Sequence, residues 1–210
     1  MELIIRNFEQ HDYDRCEELV NEAWYFDKII SDKNLRRTAL RLFTAGGLYS
    51  GNMNLVAVKE REVVGFLFGF NHLARLKLHG RIKLALYAIF SFNFKKMDKI
   101  ERDKFIKAVT DHNKNRNNVE PGKASEICLF VVSQDLRGQY IGTKLWEKFR
   151  DSCIEAGVKR IRVETNKLGA SSYYEKQGFT LVSDFDSPLH ELATPGGQAC
   201  MYEYFCDKYK

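Results

Sequence analysis

Proline is scarce. Three residues in 210 exclude a proline-rich linker or stalk. Long apolar runs are missing too: the longest mostly apolar stretch, Leu84 to Phe92, is under half the roughly 20 residues a membrane-spanning helix needs. The five cysteines (Cys16, Cys128, Cys153, Cys200, Cys206) contain no CxxC pair. Their odd number fits reduced, mostly buried thiols of a cytoplasmic protein rather than a disulfide framework. The five histidines (His11, His72, His79, His112, His190) show no HExxH or similar ligand spacing, so no metal is expected. The start, MELIIRNFEQHDYD, has no basic segment before a long apolar one, and a secretory leader is not expected. GxGxxG and a P-loop Gly-Lys-Ser/Thr are both absent, which removes the two commonest phosphate-loop readings.

What remains is an ordinary globular mixture, 44% hydrophobic and 29% charged, long enough for one domain with a sizeable core. The net charge of +5 is unevenly spread. Residues 71–122 hold twelve Lys or Arg against five Asp or Glu, so the basic character belongs to that segment and the rest is slightly acidic.

Periodicity predicts a strand over Leu3–Phe8 and helices over His11–Trp24 and Lys33–Thr44, the second stopped by Ala45-Gly46-Gly47. Asn54–Lys59 and Val63–Phe70 read as a hairpin about Glu60-Arg61-Glu62. Helices follow over Leu73–Phe90, with Gly80 a weak point, and Lys96–Asp111. The polar run His112–Asn118 reads as a loop. Ser125–Val132 is a strand, Ile141–Ala156 a helix capped by Gly157, Arg160–Thr165 a strand and Gly169–Gln177 a helix. Thr180–Phe185 and Gln198–Asp207 are the last strands, with Pro195-Gly196-Gly197 between them.

The segment Leu129 to Trp146 carries the most chemistry. An apolar strand runs into a polar turn with Arg137, Gly138 and Gly142, which opens directly into an amphipathic helix. The first N–H groups of a helix have no intrahelical partners, and the helix dipole adds positive potential, so this is an anion site.

Here the sequence resembles the GNAT superfamily of acyl-CoA-dependent N-acetyltransferases. The family signature, Arg/Gln-x-x-Gly-x-Gly/Ala after a strand, reads Arg137-Gly138-Gln139-Tyr140-Ile141-Gly142. A downstream Asn followed by Tyr-Glu-Lys-x-Gly-Phe reads Asn166, then Tyr174-Glu175-Lys176-Gln177-Gly178-Phe179. The resemblance spans nearly the whole chain except about Asn71–Gly122. Tyr140 departs from the signature glycine, and its Cβ restricts the backbone and crowds a diphosphate.

The resemblance implies a single α/β domain over 1–210: a mixed, largely antiparallel central sheet with helices on both faces and a basic helical insertion at about 71–122 after the third strand. It implies acetyl-CoA as co-substrate, held between two parallel strands. The backbone of Phe130, Val131 and Val132 would pair with the pantetheine arm. Arg137, Gly138, Gln139, Tyr140, Ile141, Gly142 and Thr143 would hold the diphosphate, and Asn166 would join the cofactor site. A primary amine of a small molecule would attack the thioester directly. Glu126 is the candidate base, since an ammonium with a pKa of about 10 must lose a proton first. Tyr174 is the candidate acid for the leaving thiolate, and Tyr173 is read as core packing. Cys128 and Trp146 are read as packing residues. The alternatives are a protein or RNA-associated acceptor gripped by Lys95, Lys96, Lys99, Arg102, Lys104 and Lys107 among Phe90, Phe92 and Phe94, or a non-catalytic acyl-CoA-binding or membrane-surface module using Leu78–Phe94. The plainer expectation is that nucleic acid is not a partner and that this segment covers the cleft or contacts a second copy.

Overall fold

The computed structural model describes residues 2–74, 78–119, 122–194, 196 and 198–209. In chain order the elements are β1 (Ile4–Asn7), α1 (Tyr13–Trp24), α2 (Phe26–Ile29), α3 (Lys33–Ser50), β2 (Met53–Lys59), β3 (Glu62–Phe70), α4 (Leu78–Phe94), α5 (Lys99–Val119), β4 (Ser125–Val132), α6 (Ile141–Glu155), β5 (Arg160–Asn166), α7 (Ser171–Lys176), β6 (Thr180–Phe185), α8 (Pro188–Ala193) and β7 (Ala199–Phe205). A seven-stranded sheet runs in the order β1-β2-β3-β4-β5-β7-β6. Every neighbouring pair is antiparallel except β4 and β5. The expected mixed, largely antiparallel α/β fold with helices on both faces is what forms.

Two apolar layers sandwich the sheet. On one face Leu145, Trp146, Phe149 and Cys153 of α6 pack with Ile127, Ile161 and Val163. Their spacing of about four residues puts them on one side of the helix. On the other face Cys16, Leu19 and Val20 of α1 and Leu35, Ala39 and Leu48 of α3 cover Val56, Phe66, Phe68, Leu129 and Val131. The β2–β3 turn has positive φ at Glu60 (54°) and Arg61 (68°), the two-residue mirror-type turn that matches strand twist. Glu62, expected in that turn, is already in β3 and pairs with Lys59.

Several expected boundaries move. Helix α3 runs through Ala45-Gly46-Gly47 to Ser50. Gly47 sits at a close helix–sheet contact, where a Cβ would lie 2.7 Å from Leu129 Cβ. Helix α4 is continuous at Gly80, where the Tyr49 ring occupies the space of the missing side chain. The expected helix start at Leu73 moves to Leu78. The polar run His112–Asn118 is helical, part of α5, because His112, Asn115 and Arg116 find partners on the sheet and around α8. The helix expected over Gly169–Gln177 is shorter, and α8 was not foreseen, although Ser187-Pro188 is a cap-plus-first-turn-proline signal. In the basic segment, Arg75, Lys77 and Glu120 lie outside the described residues, as do Pro195 and Gly197 of the last loop.

Asp12 ties β1 to α1. Its buried carboxylate accepts two bonds from Arg6, both 2.7 Å, and one from the Glu9 N–H at 2.8 Å. Burial pushes its pKa up, but Arg6 and the Glu9 amide outweigh that and hold it below the usual carboxylate range. The resulting stability is present above the ordinary aspartate pKa of about 3.9 and is lost as pH falls through the lower folded value. The stability deficit of Arg6→Met, from urea titrations at several pH values, should therefore be level from pH 5 to 8 and shrink below about pH 4. Glycine contacts give a second test. A methyl on Gly69 would overlap the Phe149 ring, whereas one on Gly46 meets Leu84 Cδ2 at 3.9 Å. Gly69→Ala should destabilise by about 2 kcal/mol. Gly46→Ala, gaining helix propensity, should stabilise by up to about 1 kcal/mol. Equal effects of the two would contradict this packing.

Candidate active site

Strands β4 and β5 pair in parallel only from Ser125–Ile161 to Ile127–Val163. Beyond that they diverge, and among the described residues no strand takes the vacated edge of β4. The divergence coincides with a bulge. In the β3–β4 register Phe68 faces Leu129 and Gly69 faces Ile127, so Cys128 is skipped. An extra residue of this kind bends and twists its strand. It also switches faces: Ile127 packs under α6, Leu129 and Val131 under α1 and α3, and Phe130 and Val132 return to the α6 side.

The divergent end of β4 feeds the glycine-bearing turn. Gly138 has φ +80°, and Tyr140 has φ 60°, ψ 12° as the residue preceding α6. The left-handed conformation is natural for Gly138, and a Cβ at Tyr140 makes it strained by about 1 kcal/mol. The Tyr140 ring points outward, 74% exposed. Arg137, Gly138 and Gln139 are exposed beside it, and Gln139 Oε1 accepts a bond from Lys59 Nζ at 3.1 Å. The first intrahelical bond is Lys144 N–H to Tyr140 C=O, which leaves the N–H groups of Ile141, Gly142 and Thr143 without helical acceptors. These groups can hold an anion.

The two adjacent tyrosines separate. Tyr174 is buried against Phe179 and Tyr173. Tyr173, expected to be packing only, stacks edge-on to Phe130 at 5.8 Å, and its hydroxyl would be 3.5 Å from a Cβ on Gly142. That buried hydroxyl lacks a well-formed hydrogen bond and faces Thr143. Burial raises the pKa of both phenols, so both are protonated at neutral pH. Asn166 stands at the end of β5, where its Oδ1 accepts the Leu168 N–H. Trp146 is core, and burial pushes the Cys128 thiol far up, so neither is a chemical group here.

The sheet face opposite α6 carries an ion network roofed by α5 and α8. Arg116 of α5 donates to Glu126 Oε1 at 2.6 Å and through Nε to Glu164 Oε2 at 2.9 Å. His190 of α8 and His112 of α5 approach Glu164 Oε1 with Nε2 at 3.1 and 3.5 Å. Ser187 Oγ sits 2.8 Å from His112 Nδ1 and accepts the His190 N–H. Burial lowers the His112 pKa against the pull of Glu164, so the ring is neutral at pH 7. Burial raises that of Glu164, but His190, His112 and Arg116 outweigh it, and the carboxylate stays ionised. Sequence reasoning singled out Glu126 alone of this set. The others were unreadable because their spacing is long and three lay in supposed loops.

Among the described residues, the basic segment does not gather the aromatic-cation grip of the alternative reading. Phe92 packs into the core beneath α3 and Phe90 is exposed, while the Phe94 side chain lies outside the described residues. Lys107 and Arg102 pair with Asp111 and Asp103. A groove of about 690 Å³ between α2, α5 and α8 is lined by Lys28, Lys104, Lys107 and Asp111 among others. Among the described residues no helix is long and apolar enough to cross a membrane.

Residues 98–186 match the family model described as an acetyltransferase (GNAT) domain. Among solved structures, SsHAT is similar at 14% identity and TM-score 0.70, over 98% of this chain and 99% of that one. The ribosomal-protein-S18-alanine N-acetyltransferase of Escherichia coli gives 12% identity and TM-score 0.54, over 98% and 94%. An aminoglycoside 6'-N-acetyltransferase complexed with coenzyme A gives 12% and 0.57, over 97% of each. No curated protein sequence matches. The fold is that of these acetyltransferase structures, and residues 98–186 carry the likeness to the GNAT acetyltransferase domain.

Arg116 bridges two carboxylates that are 27% and 15% exposed. Breaking a buried ion pair by removing one partner costs about 3 kcal/mol. Arg116→Met should lose about that much in urea unfolding at pH 7, and a loss under 1 kcal/mol would mean that water screens the network.

Proposed function

We propose that the protein is an N-acetyltransferase, one domain over residues 1–210, that moves an acetyl group from acetyl-CoA to a primary amine of a small molecule. The observation that carries this reading is the vacated β4 edge leading straight into the turn and the α6 N-terminus. An extended pantetheine arm suits the edge at Phe130, Val131 and Val132, taking up main-chain bonds that β5 leaves unmade. The diphosphate suits Arg137, Gly138, Gln139 and Tyr140 with the N–H groups of Ile141, Gly142 and Thr143. Asn166, at the end of β5 beyond its pairing with β4, would join this cofactor site.

Acetyl-CoA supplies an activated thioester. On the opposite face Glu126 takes a proton from the ammonium, directly or through water, and its negative charge with that of Glu164 favours a cationic acceptor. The neutral amine attacks the thioester carbonyl: the C–N bond forms, the C–S bond breaks, the thiolate receives a proton from a phenol, and the proton shed by the attacking nitrogen restores that phenol. No covalent enzyme intermediate is required. Tyr174, on the motif position, is the assigned donor. A second reading, Tyr173, is favoured by its hydroxyl beside Gly142 and Phe130. The neighbours include enzymes named for a small-molecule and for a protein acceptor. The acidic approach under α5 and α8, with Lys107 and Arg102 already paired, favours the small amine over a nucleic-acid-associated target. The apolar side of α4 (Ile82, Leu86, Ile89, Phe90) is the surface we assign to contact with a second copy.

Isothermal titration of acetyl-CoA and CoA tests the reading. Both should bind in the micromolar range, and Tyr140→Gly should tighten both several-fold by removing the side chain that crowds the diphosphate. An amine screen by thiol release should then find an acceptor. Tyr174→Phe should lower kcat about a hundredfold at unchanged acetyl-CoA affinity. The same loss in Tyr173→Phe alone would move the acid to Tyr173. No binding of either cofactor form would overturn the proposal.

A further inference from the structure

We propose that His112, Glu164 and His190 form a binding site for a divalent transition-metal cation, best matched by zinc. The three side chains come from α5, β5 and α8, and their donor atoms lie within 4.8 Å of one another. Two imidazoles and one carboxylate are a donor set that zinc takes when one position stays open. The two imidazole Nε2 atoms stand 3.1 and 3.5 Å from the same oxygen, Glu164 Oε1. Tetrahedral ligands at ordinary zinc bond lengths are separated by about 3.3 Å, so these two separations already suit a shared ion.

The surrounding groups aim the donors. Ser187 Oγ lies on Nδ1 of His112, which turns Nε2 toward Glu164. Ser187 is itself buried and fixed as the cap of α8 by the His190 N–H. Arg116 takes Glu164 Oε2, which leaves Oε1 as the oxygen facing the imidazoles. Such outer partners fix ring orientation in metal sites. Glu164 itself is held ionised, its His190, His112 and Arg116 neighbours outweighing burial. The side chains of His112, Glu164 and His190 are 10%, 15% and 19% exposed, enough for an ion to enter. A cation here would fasten α5 and α8 to β5 next to the β4–β5 divergence. The inference stands independently of acyl-CoA binding.

The test is titration of zinc chloride into the full-length, chelator-treated protein, with thiols kept reduced, followed by calorimetry and thermal unfolding. One equivalent should bind with Kd of 10 µM or tighter, in the range of sites with three protein ligands, and raise Tm by several degrees. Magnesium should do neither, since it prefers oxygen ligands and octahedral geometry. His190→Asn and Glu164→Gln should each weaken zinc at least tenfold, while His11→Asn, at an exposed histidine outside the cluster, should not. Cobalt substitution should give visible absorption that His112→Asn removes. Absence of zinc binding by the wild type below millimolar concentration overturns the proposal without recourse to any variant. Binding that survives both histidine substitutions overturns it too, because the ion would then sit on the thiols.

Discussion

The separation of β4 from β5 is the constraint on which the rest of the molecule turns. Two parallel strands that stayed paired would close the sheet and leave no main-chain edge for a ligand. Pairing stops after Ile127–Val163, at the bulged Cys128. The bulge bends β4 and reverses which side chains face which layer. Phe130 and Val132 thereby come to lie beside α6 and Tyr173, while Leu129 and Val131 fill the layer beneath α3. Close packing holds the bend in place. Gly69 admits Phe149 and Gly47 admits Leu129, so α6 and α3 both press on the segment where the register slips.

The second face of the same divergence is polar and differently held. Glu126 and Glu164 would repel each other if left alone on adjacent strands. Arg116 bridges them, and the two histidines complete the shell of Glu164. This network makes α5 a wall of the site. The polar stretch from His112 to Asn118 looks like a loop in composition, since a helix of such residues has little intrinsic propensity. It is helical because tertiary partners take its side chains: Ser187 and Glu164 for His112, the Asp186 carbonyl for Asn115, and the two glutamates for Arg116. The same two sheet faces therefore have opposite chemistry, an N–H-rich anion cradle on the α6 side and a carboxylate-histidine cluster on the other.

Much of this could be read from local pattern. The hairpin about Glu60-Arg61, the strand Ser125–Val132, the α6 stripe of Ile141, Leu145, Phe149 and Cys153, and the Gly157 cap all follow from residue type and period, which depend only on neighbours in the chain. The turn at Arg137–Gly142 was legible for the same reason: its chemistry is backbone chemistry at a helix start. Glycines misled where their role was contact rather than conformation. Gly46, Gly47 and Gly80 are helical, and the missing side chains of Gly47 and Gly80 make room for Leu129 and Tyr49, far away in sequence.

By itself the sequence determined the order of most elements and the glycine-bearing turn before α6, because short-range periodicity and turn chemistry encode them; the fold class and the tyrosine-bearing segment were legible through the resemblance of Arg137–Gly142 and Tyr174–Phe179 to a known family. Only the tertiary structure decided which tyrosine stands beside Gly142, and that His112, Arg116, Glu126, Glu164 and His190 share one site. The physical reason is separation along the chain. Those residues lie on α5, β4, β5 and α8, and neither spacing nor composition records a meeting made by sheet order, a bulge and the packing of two helices over one strand.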